Sequence, residues 1–155
     1  MRSLDQWLTE YGDSHRNPTN KLLHYLCVPP IQLALMGLLW CVPVPAAVGG
    51  WSPIVNWASL SVLAGLLYYA ALSLRLAVGM LVVVIGGFLL LALLQRLSVP
   101  LWESCLAIFV IAWIGQFVGH AIEGKRPSFF KDLQFLLIGP LWLLAAAYRR
   151  LSLRY

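Results

Sequence analysis

Charge is scarce in this chain of 155 residues: six acidic and eleven basic side chains make up 11% of it, where soluble domains run near a quarter. Between residues 22 and 147 only Arg75, Arg96, Glu103, Glu123, Lys125, Arg126, Lys131 and Asp132 carry formal charge. With a mean hydropathy of +0.80, that scarcity excludes an ordinary soluble domain. The basic residues stand singly or in pairs, so the net charge of +5 is a topology signal and not a nucleic-acid surface. Cysteine is scarce too. Cys27, Cys41 and Cys105 are far apart and lie in apolar runs, which excludes a disulfide framework and a zinc knuckle and leaves them as small packing residues. The same scarcity extends to histidine. Three histidines are too few for a multi-histidine di-iron desaturase, and no nucleotide-binding glycine fingerprint appears. The polar start, residues 1 to 21, has no apolar core ahead of a small-residue cleavage site, so no cleavable signal is expected.

What the chain does have is apolar length. The pattern predicts an all-α integral membrane protein of one domain, residues 1 to 155. A short amphipathic helix over residues 3 to 13 places Leu4, Trp7, Leu8 and Tyr11 on one face, suited to a headgroup-level anchor. Asn17-Pro18 reads as a helix start, with Asn at the N-cap and Pro in the first turn. Four transmembrane helices follow, each near the ~20 residues a bilayer requires: about 22 to 40, with a kink expected at Pro29-Pro30; 53 to 74; 76 to 94, with Arg75 in a minimal turn between these two; and 100 to 122, with Gly124 as C-cap. Residues 41 to 52 read as a loop. A fifth apolar stretch, 133 to 148, is short and contains Gly139-Pro140. The tryptophans, among them Trp51, Trp113 and Trp142, read mostly as interfacial belts. Gly115-x-x-x-Gly119 permits close helix approach within the bundle or in a homodimer.

The positive-inside rule bears on the fifth stretch. With the N-terminus in the cytoplasm and four crossings, a fifth crossing gives 7 basic residues inside against 4 outside. A stretch that dips in and returns gives 10 against 1. A Pro-broken, re-entrant or interfacial helix is therefore expected. The same topology brings all three histidines to one membrane face. His15 and His24 lie at the mouth of the first span, and His120 arrives at the end of the fourth.

Those mouths hold the chemistry. His24 follows Asn20 by four residues on one helix face, and His15 precedes the helix. His120 and Glu123 are i, i+3, with Gln116 a turn earlier. Three imidazoles and a carboxylate (His15, His24, His120, Glu123) suit a first-row divalent metal, with Asn17, Asn20 and Gln116 as supporting partners. Lys125 and Arg126 serve either as positive-inside anchors or as partners of a substrate carboxylate. Ionisable groups at membrane depth are read as functional.

The two stretches, Tyr11-x3-His15-x-Asn17-Pro18-x-Asn20-x3-His24-x4-Pro29 and Trp113-Ile114-Gly115-Gln116-Phe117-Val118-Gly119-His120-x2-Glu123-x-Lys125-Arg126-Pro127, together resemble the membrane 2-hydroxy fatty acid dioxygenase family, whose yeast type turns phytosphingosine into odd-numbered fatty acids. The resemblance implies Fe(II) as cofactor and α-oxidation of a 2-hydroxy fatty acid with O2 to the acid one carbon shorter, with release of CO2. It assigns the ligand histidines to His15, His24 and His120. The acidic residue stands one position earlier here than in the yeast type. The compact chain looks bacterial, which implies the inner membrane with the site on the cytoplasmic side. Two other readings of the same histidines stay open: a zinc-dependent lipid hydrolase, and a non-enzymatic small membrane transporter or scaffold.

Overall fold

The computed structural model describes residues 2–45, 54–124 and 129–155, excepting the side chains of residues 129–134. All its regular structure is helical: α1 (Leu4–Asp13), α2 (Pro18–Cys41), α3 (Trp57–Leu72), α4 (Leu74–Leu94), α5 (Leu101–Glu123) and α6 (Phe129–Arg150). The chain is an all-α membrane protein. Helices α2, α4 and α5 are long and apolar enough to cross a membrane, and α3 is a shorter apolar helix. Their outward faces carry exposed aliphatics such as Leu67, Val82, Leu89 and Ile111. In water such a surface would be a liability; in hydrocarbon it is the face a spanning helix must present.

Local chemistry sets the helix ends. Ser3 and Gln6 form a reciprocal capping box at the start of α1. The Asn17 side chain accepts from the backbone of Thr19 and Asn20, with Pro18 in the first turn of α2, as the Asn-Pro pair predicts. Gly124 closes α5 in the left-handed conformation at φ 71°, where a Cβ is costly.

Several boundaries differ from expectation. The second apolar segment yields only 16 helical residues, because Asn56 caps its start four residues later than expected and Ser73 ends it two residues sooner. Ser73 is at once the C-cap of α3 and, through its side chain, the N-cap of α4. Arg75 therefore lies in the first turn of α4 and not in the turn itself. Pro29, Pro30 and Pro140 sit inside α2 and α6 without dividing either helix. The expected loop 41–52 and Trp51 lie largely outside the described residues.

Helices α2 and α5 make the most extensive contact in the bundle, and small residues let them approach. Gly37 lies against Cys105, Gly115 against Cys27, and Gly119 against Asn20 and Leu23. The two cysteines thus fill glycine notches across an antiparallel pair, and the Gly-x-x-x-Gly face is used within the chain. A methyl group at Gly119 would run into Asn20 Oδ1, whereas one at Gly86 would meet nothing. Gly119→Ala is therefore expected to destabilise by about 1–3 kcal/mol, and Gly86→Ala to be neutral or mildly stabilising. Thermal unfolding of the two variants in detergent checks the contrast.

Helix α6 bears on the function. Its described contacts fall at one end of the bundle. Trp142 stacks on Tyr25 at 5.9 Å, the Tyr69 hydroxyl donates to Leu137 O at 2.7 Å, and the Tyr148 hydroxyl donates to Arg75 O at 3.2 Å. Helix α1 packs on it as well, with Leu8 and Tyr11 buried and Trp7 edge-on to Phe135 at 6.3 Å. The amphipathic face of α1 is thus covered by protein. These contacts suit a helix laid over the end of the bundle where α2 begins, as the charge count expects.

Candidate metal centre and its cavity

At that covered end the three histidines converge. One ligand atom from each of His15, His24 and His120 lies within 4.8 Å of the other two. His24 is 1% exposed and His15 3%. Their rings meet edge to face, with centroids 4.1 Å apart, and His120 stands 5.0 Å from His24 and 5.5 Å from His15.

Two of the rings are aimed by carbonyls one helical turn back. His24 Nδ1 is 3.0 Å from Asn20 O, and His15 Nδ1 is 2.6 Å from Tyr11 O. A backbone carbonyl only accepts, so in both rings the proton sits on Nδ1 and the lone pair on Nε2. Orienting a histidine through its second nitrogen is how metal ligands are commonly held. Three nitrogens each about 2.1 Å from one ion would stand about 3.4–3.6 Å apart, so the cluster, whose ligand atoms lie within 4.8 Å of one another, would contract around it. The donor set can hold a metal ion: three imidazoles, two of them oriented by carbonyls, suit a first-row divalent cation.

Tyr11 and Trp142 wall the cluster. Tyr11, 5% exposed, stacks on His15 at 4.2 Å and 12°. Trp142 lies 5.7 Å from His15 and 5.5 Å from Tyr11. Trp142 is therefore buried in the site and is not part of an interfacial belt. Its spacing gave no clue, because α6 carries it there only through tertiary packing. Tyr11 had a signal, as the first residue of the His15–His24 motif.

Glu123 takes a different place from the one its spacing suggested. It is not among the clustered ligand atoms. Its Oε1 accepts from Arg16 N at 2.9 Å, and its Oε2 accepts from Asn17 N at 2.9 Å and Asn20 Nδ2 at 3.0 Å. The carboxylate thus bolts the end of α5 to the loop that carries His15 and to the first turn of α2, where a helix N-terminus favours an anion. Asn20 is fully buried and reaches both Glu123 and Ser14 O, while its own carbonyl orients His24. Asn17 works through the cap of α2. Arg16 points outward and pairs with Asp13 at 2.7 Å, a hydrogen bond that raises its pKa. Lys125 and Arg126 lie outside the described residues.

The cluster closes one end of a cavity of about 700 Å³, within the range of small-molecule sites. Beyond the histidines its wall is largely aliphatic, from α2, α3, α4 and α6. Polar groups interrupt it, among them Gln32 on α2 and Ser61 on α3, and two on α5. Gln116 is 5% exposed and its Nε2 finds no acceptor among the described residues; the same holds for the Trp113 indole N–H. Trp113, too, is a cavity residue and not a belt.

The arrangement is a metal-competent polar end on an apolar, lipid-sized chamber inside a membrane bundle. Comparison with known proteins agrees. Residues 1–151 match the family described as 2-hydroxy-palmitic acid dioxygenase Mpo1-like. The chain belongs to the Mpo1-like family. It is 33% identical over 136 residues to the 2-hydroxy-palmitic acid dioxygenase MPO1 of Saccharomyces cerevisiae, covering 86% of this chain and 73% of the yeast protein. No solved structure matches significantly. Within this Mpo1-like chain, both histidine motifs fall inside the matched residues.

Proposed function

We propose that this chain is an Fe(II)-dependent 2-hydroxy fatty acid dioxygenase, converting R–CHOH–COOH and O2 to R–COOH, CO2 and water. Atoms balance, and the substrate gives up the four electrons that O2 accepts, so no further reductant is required. The observation that carries the reading is the join of a three-histidine cluster to an apolar cavity, in a chain whose relative in yeast is named for this activity.

His15, His24 and His120 would hold the iron, which when bound supplies a centre able to engage both O2 and an α-hydroxy acid. The protein does the rest. Asn20 and Tyr11 carbonyls keep the imidazoles in the ligating tautomer. Glu123 holds the two halves of the cluster together as a positioning residue. Gln116 Nε2, a buried donor with no acceptor among the described residues, is placed to receive a substrate oxygen, since leaving such a group unsatisfied is costly. Tyr11 and Trp142 exclude water from the side of His15. The charge pattern favours the cluster and α6 on the cytoplasmic face of a bacterial inner membrane.

The test is consumption of 2-hydroxypalmitate by protein purified without oxygen and loaded with Fe(II). The C15 acid and CO2 are expected only when O2 is admitted, and a chelator that strips iron is expected to stop turnover. Bound zinc with oxygen-independent lipid hydrolysis would overturn the proposal in favour of a hydrolase.

A further inference from the structure

The cavity extends well past the groups that the proposed reaction uses. Along α2 its lining runs from His24 through Val28 and Leu35 to Leu39, and at ~1.5 Å per residue Leu39 stands about 22 Å beyond His24. A bilayer core of ~30 Å is two acyl layers, so one chain occupies about 15 Å. An extended chain reaches further than that, so the chamber is deep enough to take a whole lipid tail.

Helix α3 runs the opposite way along it. The Trp57 indole donates to Pro43 O at 3.2 Å, joining the start of α3 to the far end of α2. Tyr69, in the last turn, is tied to α6 at the histidine end. Between them Gly65, Ser61 and Ala58 line the cavity at helical spacing, all small. Gly65 and Ala58 are buried in the bundle. A Cβ at Gly65 would make only an ordinary 3.9 Å contact, with Leu137, so no neighbouring side chain already fills that space. The same cavity holds the buried Gln116 Nε2 near His120, a donor with no acceptor among the described residues, which marks the end where a polar headgroup belongs.

We infer that the Gly65–Ser61–Ala58 face of α3 receives the substrate's acyl tail, with its terminal methyl toward Ala58, and that the depth of this face sets the longest tail accepted. The inference rests on the dioxygenase reading and adds a gauge to it. Gly65 and Ala58 lie about 10 Å apart along α3, so bulk at each should cut the tail at a different length. Gly65→Leu is expected to lower turnover of the C16 and C18 2-hydroxy acids at least tenfold while sparing short chains such as C8. Ala58→Leu is expected to trim only the longest tails. If both variants keep the unaltered protein's length profile, or lose all lengths alike while remaining folded, the gauge is wrong.

A second measurement needs no variant and no turnover. A 2-hydroxy fatty acid with a diazirine at its terminal carbon, irradiated on the unaltered protein in nanodiscs, is expected to label the peptides bearing Ala58 or Leu39. Labelling confined to the outward surface at Leu63 and Leu67 would overturn the inference. The two failures are distinguishable: an unaltered protein that oxidises no 2-hydroxy acid of any length sinks the dioxygenase reading. Crosslinking at Ala58 would still support the tail's place.

Discussion

His24→Ala is expected to abolish iron binding and oxygen-dependent shortening of 2-hydroxy acids together. His24 is 1% exposed, its Nδ1 is committed to Asn20 O, and its ring is within van der Waals range of His15. Among the described residues only His15 and His120 share the ligand cluster with it. Removing even a residue that merely orients a ligand costs about 10–100-fold in metal affinity, so loss of the ligand itself should exceed ~100-fold. His24→Gln, which keeps most of the bulk, separates ligation from packing: it should remain folded and still fail to bind iron. Metal content by mass spectrometry, together with the lipid assay, reads both effects. Full turnover by either variant would remove His24 from the ligand set.

Glu123 should behave differently. As a bolt and not a ligand, it can be removed without losing the site altogether. Glu123→Ala leaves three N–H donors, on Arg16, Asn17 and Asn20, without their acceptor. Charge-assisted bonds contribute roughly 1.5–3 kcal/mol each when fully made. Partial exposure lets water replace part of that, so a net loss of about 2 kcal/mol is expected. Iron should still bind one per chain, with affinity and turnover lower by about 10–100-fold. Glu123→Gln keeps one acceptor oxygen and should fall between. Calorimetric titration of iron into the two variants checks this, and outright loss of iron in both would make Glu123 a ligand after all.

Much of this was legible because the polar residues are so few. In an apolar chain, three histidines in two short stretches have little room to be incidental, and the positive-inside count brings both stretches to one face. The cap of α2 could be read from Asn17-Pro18, and the shared face of Asn20 and His24 from their four-residue spacing, but not that the Asn20 backbone carbonyl meets His24 while its side chain turns to Glu123. What could not be read was which carboxylate oxygen meets which donor. The i, i+3 spacing of His120 and Glu123 puts them on one side of α5 but does not distinguish a ligand from a tether a turn further out. Trp113 and Trp142 were hidden for another reason. An aromatic near a predicted interface has the same local sequence whether it faces headgroups or a cavity. Only the placement of α6 decides, and no periodicity encodes that. The break between α3 and α4 was legible to within two residues, expected at Arg75 and found at Ser73, whereas the late start of α3 at Asn56 has no hydropathy signal.

The tether at Glu123 also has a consequence for the order in which the protein is built. Synthesis delivers Tyr11, His15, Asn17, Asn20 and His24 early, and Gln116, His120 and Glu123 about a hundred residues later. A nascent chain with α2 inserted and α5 still in the ribosome has one imidazole on α2 and one on the loop before it, with no Glu123 to brace that loop. The third imidazole and the brace for that loop then arrive on the same turn of the same helix, within three residues of each other. If the cluster holds iron as proposed, uptake of the ion waits until α5 stands in the membrane beside α2 and brings the third imidazole.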